Sequence, residues 1–290
     1  MMPLPIAYLN GDYLPLADAR ISPLDRGFLF ADSVYEVLPV YRGRPFRVKE
    51  HFDRLARSLG EIRAPVPKSH AEWAEICVEL TRRNGGGDLY LYVQVTRGAE
   101  FGRNHAWPDG LVPTVFAFAT ALEPPPAAWL ERGVAAVTAA DLRWARRDIK
   151  TTALPANVLL KKRSADVGAF ETILLEHGHL TEGSSTTVHV IERGVILTPP
   201  NGHEILPGTT RDVVMLLASR LGIPTEAAPI SEARLRAADE VWLAFSTRGV
   251  LPVTTLDGAA VGAGRPGPLF RRVHAAFDDY VREIAGTPPL

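Results

Sequence analysis

The chain has 290 residues, 46% apolar and 22% charged, with a formal net charge of -1. This composition suits one large globular domain or two ordinary ones; it excludes a disordered chain and leaves no overall basic field for nucleic acid. No apolar run approaches membrane-spanning length, and one cysteine, Cys77, forbids an intrachain disulfide, so a cytoplasmic protein is expected.

In chain order, "YLNGDYL" sets Asn10-Gly11 between apolar flanks and predicts a β-hairpin. "VYEVLPVYRGRPFRV" predicts a second hairpin turning at Arg42-Gly43. "KEHFDRLARSLG" places Phe52, Leu55 and Leu59 on one helical face, with Gly60 as the expected stop. "LYLYVQVT" alternates as a strand does. After "TVFAFATAL", three consecutive prolines in "EPPPAAW" read as an extended connection. The expected organisation is a small N-terminal α/β domain at 1–120, a linker at 121–128 and a larger C-terminal domain at 129–290. In the second half, "VAAVTA", "ETILL", "TVHVIE", "VILTP" and "EVWLAFS" predict strands, and helices are expected near 156–167, 210–221 and 267–285. The class is mixed α and β.

Several stretches carry chemistry-bearing residues, each with an ordinary structural reading beside it. "DIKTT" holds Lys150 in a β-prone segment, whereas Lys161 and Lys162 read as a solvated helix end. "LPGTTRDVVMLLASRLG" starts a helix at Gly208, Thr209 and Thr210; it offers unpaired N–H groups and hydroxyls to an anion, or is simply a Thr-capped helix. Ser246 and Thr247 follow the strand "VWLAF" with two more hydroxyls. "LTEGSSTTV" sets Glu182 before a hydroxyl run, suited to a buried cation or merely a turn. Arg103 and His105, in "GRNH", could grip a carboxylate or lie in a solvated loop.

The order of these pieces is more specific than any one of them. "LDRGFLFADSVYEVLPVYRGRPFRVKEHFDRL", "YVQVTRG", "RNH", "RRDIKTT", "LTEGSS", "LPGTTRDVV" and "FSTRGVLPV" together resemble the fold-type IV (class IV) pyridoxal-phosphate aminotransferases, most closely the D-amino-acid transaminases, from about residue 8 to about residue 260. The resemblance implies two domains, the smaller N-terminal α/β and the larger a C-terminal pseudo-barrel, with pyridoxal 5'-phosphate as cofactor and no metal. It implies that Lys150 forms the internal aldimine and that Glu182 contacts the pyridine nitrogen. Arg54, the 208–210 turn and Ser246 fall where the family holds the cofactor phosphate, Leu206 where a leucine packs on the ring, and Thr247 is counted with the cofactor-binding residues. Tyr35, Arg103 and His105 match the group that holds the substrate carboxylate. In that family the Arg and His come from a partner subunit, so a homodimer is implied.

The implied reaction is a ping-pong transamination between a D-α-amino acid and a 2-oxo acid. Its lysine needs an unprotonated amine, which desolvation or nearby positive charge supplies. Two departures from the family pattern stand out: Thr187 where Asn is common, and Phe245 and Arg248 in a segment usually richer in hydroxyls. Arg248 is expected near the substrate, favouring dicarboxylic substrates. Branched-chain L-aminotransferase, (R)-selective amine transaminase and aminodeoxychorismate lyase are alternatives on the same fold. A cofactor-free Schiff-base aldolase using Lys150 is the rival from another class.

Overall fold

The computed structural model describes residues 2–286. The chain divides into two compact units. The first comprises the described residues up to Glu123, Ile149–Ala153 and 284–286; the second comprises Pro124–Asp148 and Leu154–Glu283. The division at Glu123/Pro124 lies inside the proline-rich stretch, but Ile149–Ala153, expected in the second domain, belongs to the first unit.

The first unit is built on a six-stranded antiparallel sheet. Its strands are β1 (Pro3–Leu9), β2 (Asp12–Pro15), β3 (Ser33–Tyr41), β4 (Arg44–Pro45), β5 (Leu89–Thr96) and β6 (Val115–Ala121), in the order β2-β1-β6-β5-β3-β4. Both expected hairpins form: Leu9 pairs with Asp12 and Tyr41 with Arg44. The residues between them, Asn10-Gly11 and Arg42-Gly43, all have positive φ, the twist that two-residue hairpin loops require.

Three helices belong to this unit: α1 (Arg26–Phe30), α2 (Val48–Glu61) and α3 (His70–Arg83). Phe52, Leu55 and Leu59 of α2 and Trp73, Ile76 and Leu80 of α3 share one core with Leu38, Leu91 and Val93 of the sheet. Gly60 does not stop α2, which continues to Glu61; Arg63, at φ 54°, takes the left-handed position just beyond its cap at Ile62. Helix α3 was not expected, although its capping box is present in the sequence: Ser69 accepts from the Glu72 amide and the Glu72 carboxylate accepts from the Ser69 amide.

Strand β3 explains why Ile149–Ala153 joins this unit. It pairs with β5 from Ser33 to Val40 but with β4 only at Val40 and Tyr41, so the start of its other edge needs partners. The 149–153 segment supplies them: the Tyr35 amide donates to the Lys150 carbonyl at 2.9 Å, and Thr151 bridges Val34.

The second unit has a nine-stranded mixed sheet. Its strands are β7 (Val134–Ala140), β8 (Glu171–Glu176), β9 (His179–Gly183), β10 (Thr187–Glu192), β11 (Val195–Thr198), β12 (Thr225–Ala227), β13 (Glu240–Phe245), β14 (Gly249–Leu256) and β15 (Ala259–Ala260). The order is β12-β11-β10-β13-β14-β7-β8-β9, with β15 on β14. Helices α4 (Ala127–Arg132), α5 (Pro155–Asp166), α6 (Thr209–Arg220), α7 (Glu232–Arg236) and α8 (Pro268–Gly286) up to Glu283 complete it. Val134, Ile173, Val188, Val190, Leu243 and Leu251 form its core. Pro155 opens α5, and Gly168 and Gly222, both at positive φ, follow the ends of α5 and α6 as expected. Among the described residues no helix is long and apolar enough to cross a membrane.

Candidate active site

Two successive residues of β3 face opposite ways. Tyr35 stacks on Tyr92, ring centroids 5.5 Å apart, while Glu36 points into the core toward α2. The amine of Lys150 lies 4.3 Å from the Tyr35 ring centroid, and no carboxylate among the described residues pairs with it. An ammonium or amine over an aromatic face is held without being neutralised by an ion pair. The Lys150 backbone is fixed independently, its amide donating to Ser58 Oγ at 3.3 Å. By contrast, Lys162 pairs with Asp166 on the surface and Lys161 donates to the Phe170 carbonyl.

Arg54 is buried and forks onto Glu36, Nε to Oε1 at 2.7 Å and Nη2 to Oε2 at 2.8 Å; His51 Nδ1 meets Glu36 Oε2 at 2.7 Å. Burial alone would raise the Glu36 carboxyl, but Arg54 and His51 outweigh it and hold it down at about 2. Burial lowers the His51 imidazole against the opposing pull of Glu36. The Arg54 guanidinium is thus oriented by a carboxylate that the sequence reading did not single out.

Arg103 and His105 occupy an exposed loop of the same unit and are brought together by Phe30. The Arg103 guanidinium carbon is 5.0 Å from its ring centroid and the His105 ring 5.3 Å.

In the second unit, β9 carries Glu182 into a buried position. Arg143 Nη1 donates to its Oε1 at 2.6 Å and the Leu206 amide to its Oε2 at 3.2 Å. Burial raises the Glu182 carboxyl above the ordinary range; Arg143 and the Leu206 amide oppose this without cancelling it. Asp141 grips the other edge of the Arg143 guanidinium, Nη2 to Oδ2 at 2.7 Å. Arg146 and Arg147 are engaged elsewhere, by Asp148 and Glu176.

Helix α6 is not Thr-capped. Gly208 is its N-cap residue and has no side chain to cap it, and Thr209 and Thr210 are its buried first residues. Thr209 Oγ1 lies 3.5 Å from Ser246 Oγ, so the helix start and the turn after β13 present their hydroxyls together. Thr247 and Arg248 continue that turn, half-buried, and the Arg248 guanidinium stacks 5.1 Å from the Trp129 ring centroid. Thr187, the departure from the family pattern, fits closely against Gly208: a Cβ on that glycine would meet Thr187 Oγ1 at 2.6 Å.

The sequence profile of the family "Amino-transferase class IV" matches residues 33–256. The chain belongs to the class IV aminotransferases. This class IV aminotransferase is 38% identical to the D-alanine aminotransferase of Bacillus licheniformis over 272 residues, 94% of this chain and 95% of the relative. Among solved structures it is similar to the branched-chain amino acid aminotransferase of Escherichia coli, with TM-score 0.89, 28% identity, and coverage of 95% of this chain and 94% of that one. It is also similar to the T.th. branched-chain enzyme complexed with N-(5'-phosphopyridoxyl)-L-glutamate, with TM-score 0.86, 26% identity, and coverage of 100% and 97%. The expected fold, fold-type IV, is the fold found.

Pyridoxal 5'-phosphate is the cofactor with which class IV aminotransferases work. The residues present suit its three chemical handles. Lys150 offers an amine over the Tyr35 ring, with no acidic partner among the described residues, suited to an aldehyde. Glu182 offers a buried carboxyl with raised proton affinity, suited to a ring nitrogen. The uncapped start of α6, flanked by hydroxyls, suits a phosphate. Among the described residues no cluster of His, Cys, Asp or Glu could hold a metal ion.

Proposed function

We propose that this aminotransferase moves the amino group of a D-α-amino acid to a 2-oxo acid, and that Lys150 is its reactive amine. The observation that supports the choice of donor is the placement of Arg103 and His105 together against the Phe30 ring, an arrangement suited to gripping the carboxylate of a small acid. The D-alanine aminotransferase name of its relative points the same way.

When bound, the cofactor supplies the electron sink that makes the substrate α-hydrogen acidic. The chain's residues do the rest. Lys150 Nζ would take the proton from the donor Cα and pass it on within the same half-reaction, and would bring a proton to the acceptor Cα in the other; a positioned acid/base of this kind contributes about 10²–10⁴-fold. Glu182, held by Arg143 and the Leu206 amide, keeps a proton at the ring nitrogen. The Thr209 and Thr210 amides at the Gly208 turn, the Ser246 and Thr247 hydroxyls and Arg54 hold the phosphate, and Leu206 packs on the ring. Tyr35, Arg103 and His105 hold the substrate carboxylate. In this reading Arg103 and His105 serve the site of a second copy of the chain, so the enzyme works as a homodimer. Arg248, stacked on Trp129, selects a second carboxylate and favours substrates such as D-glutamate.

A branched-chain L-amino-acid specificity is the second reading, supported by the likeness to the Escherichia coli enzyme. Incubation with D-alanine or L-alanine and 2-oxoglutarate separates the two. The proposal expects glutamate from D-alanine only, and that glutamate to be the D-enantiomer; turnover of the L-donor alone would overturn it.

A further inference from the structure

Arg26 takes no part in the reaction itself, yet it is among the most heavily engaged side chains of the first unit. It opens the five-residue α1, and its side chain is 3% exposed. Its neighbours are fixed first. Asp25 accepts from the Gly27 amide at 2.7 Å and from the hydroxyls of Thr96 and Thr114 at 3.0 and 2.6 Å, tying α1 to the ends of β5 and β6. Gly27 allows that approach, because a Cβ there would meet Thr96 Cγ2 at 2.4 Å. The Arg26 amide donates to the Gly98 carbonyl at 2.9 Å.

From this rigid base the guanidinium reaches in two directions. Nε donates to Asp32 Oδ2 at 2.9 Å, and Asp32 is itself clamped by Arg97, Nε at 2.7 Å and Nη2 at 2.9 Å. The two Arg partners hold the Asp32 carboxyl below its usual range against the opposing effect of burial. The outer nitrogens serve the 100–105 loop: Nη1 donates to Glu100 and to the Asn104 carbonyl (2.6 Å for the latter), and Nη2 to the His105 carbonyl at 3.1 Å. That loop has no regular structure and its tip is exposed. The same guanidinium lies 4.7 Å from the Phe30 centroid, the ring on which Arg103 and His105 rest.

We infer that Arg26 is a positioning residue for substrate-carboxylate binding: it fixes the backbone of Asn104 and His105 and the Phe30 platform, and so sets where the Arg103 and His105 side chains point. The inference rests on the reading of Arg103 and His105 as the carboxylate grip. A planar fork with five donors can serve two carboxylates and two carbonyls at once; a lysine, with three donors at one point, cannot. Loss of the fork loosens the loop while leaving Lys150 and the phosphate-holding residues untouched, so its signature is in substrate binding rather than turnover.

The test is steady-state kinetics of the holoenzyme with D-alanine at saturating 2-oxoglutarate, comparing Arg26→Lys with Arg103→Ala. Arg26→Lys is expected to raise KM for D-alanine about tenfold, with kcat within about twofold and the cofactor absorption spectrum unchanged, the pattern of lost ground-state and transition-state binding alike. A KM within about twofold of the parent enzyme, or a fall in kcat together with cofactor loss, overturns the inference. Should Arg26→Lys not fold, Glu100→Gln keeps Arg26 in place and weakens its hold on the loop; about a threefold rise in KM is expected, and an unchanged KM overturns the inference. If Arg103→Ala raises KM and the Arg26 and Glu100 variants do not, the inference alone fails. If Arg103→Ala leaves KM unchanged, the carboxylate-grip reading fails and takes the inference with it.

Discussion

Gly208 is where the fold and the proposed phosphate site constrain one another most tightly, and Gly208→Ala tests that constraint. Its φ of -78° is open to any residue, so backbone strain plays no part. The obstacle is steric: a Cβ would stand 2.6 Å from Thr187 Oγ1 and 3.2 Å from Arg211 Cβ. Thr187 is buried, β-branched and paired with Ala244 across β10 and β13, so its side chain has little freedom to turn away. Relief comes by moving the start of α6, which carries the amides and hydroxyls proposed to hold the phosphate. Overpacking of this kind costs about 1–3 kcal/mol. At about 1.4 kcal/mol per decade, that weakens cofactor binding about 5- to 150-fold if it falls on the bound state. The assay is titration of apoenzyme with pyridoxal 5'-phosphate followed by absorbance, with Gly208→Ala, Thr187→Ala and the double variant forming a cycle. Thr187→Ala removes the opposing oxygen, so the double variant is expected to recover most of the affinity that Gly208→Ala loses. Parental affinity in Gly208→Ala, or no recovery in the double variant, would refute the reasoning.

Further predictions concern charge and pH. Glu182→Gln removes the carboxylate proposed to hold a proton at the ring nitrogen; kcat is expected to fall about 10²-fold or more while Lys150 still binds the cofactor, as single-turnover absorbance would reveal. Arg248→Ala is expected to lower kcat/KM for D-glutamate about tenfold and to spare D-alanine; equal losses on both would remove Arg248 from substrate selection. His189 is fully buried, neither ring nitrogen has a hydrogen-bond partner, and burial pushes its imidazole from 6.5 down to about 3. A depressed folded value means that stability is fully present above 6.5 and is lost as pH falls from there toward about 3, because the unfolded chain takes up the proton first. Between pH 7 and pH 5 this ring costs about 2 kcal/mol, so His189→Leu should flatten the fall in Tm over that interval; an unchanged slope would contradict the assignment.

Much of the fold was legible because local rules acted alone. The Asn10-Gly11 and Arg42-Gly43 turns need positive φ, and α5 and α6 carry their Pro and Gly punctuation in the sequence. Gly60 misled because tertiary packing carried α2 past it to Glu61. Strand β14 was not foreseen: its run "GVLPVTTL" carries a proline at Pro252, yet it lies between β13 and β7. Its start follows directly on the Ser246–Arg248 turn, which sequence reading took for chemistry. The placement of Ile149–Ala153 depends on the short reach of β4 along β3, a pairing fact no local pattern records. At the site, the spacing of motifs marked residues with distinctive neighbours, such as Lys150 in "DIKTT" and Glu182 in "TEGSS". It passed over the partners that aim them. Glu36 is the one acid of the largely apolar strand β3, and that lone buried acid was the signal available for Arg54. Arg143 and Arg26 had only nearby acids in sequence, and their roles come from bonds spanning 39 and 74 or more residues.

Reduction of the holoenzyme with borohydride, followed by proteolysis and mass spectrometry, fixes the cofactor to whichever amine holds it. The account predicts a single phosphopyridoxyl group on Lys150, and none after Lys150→Ala. The same label on Lys161 or Lys162, or an unlabelled chain that still transaminates, would contradict it.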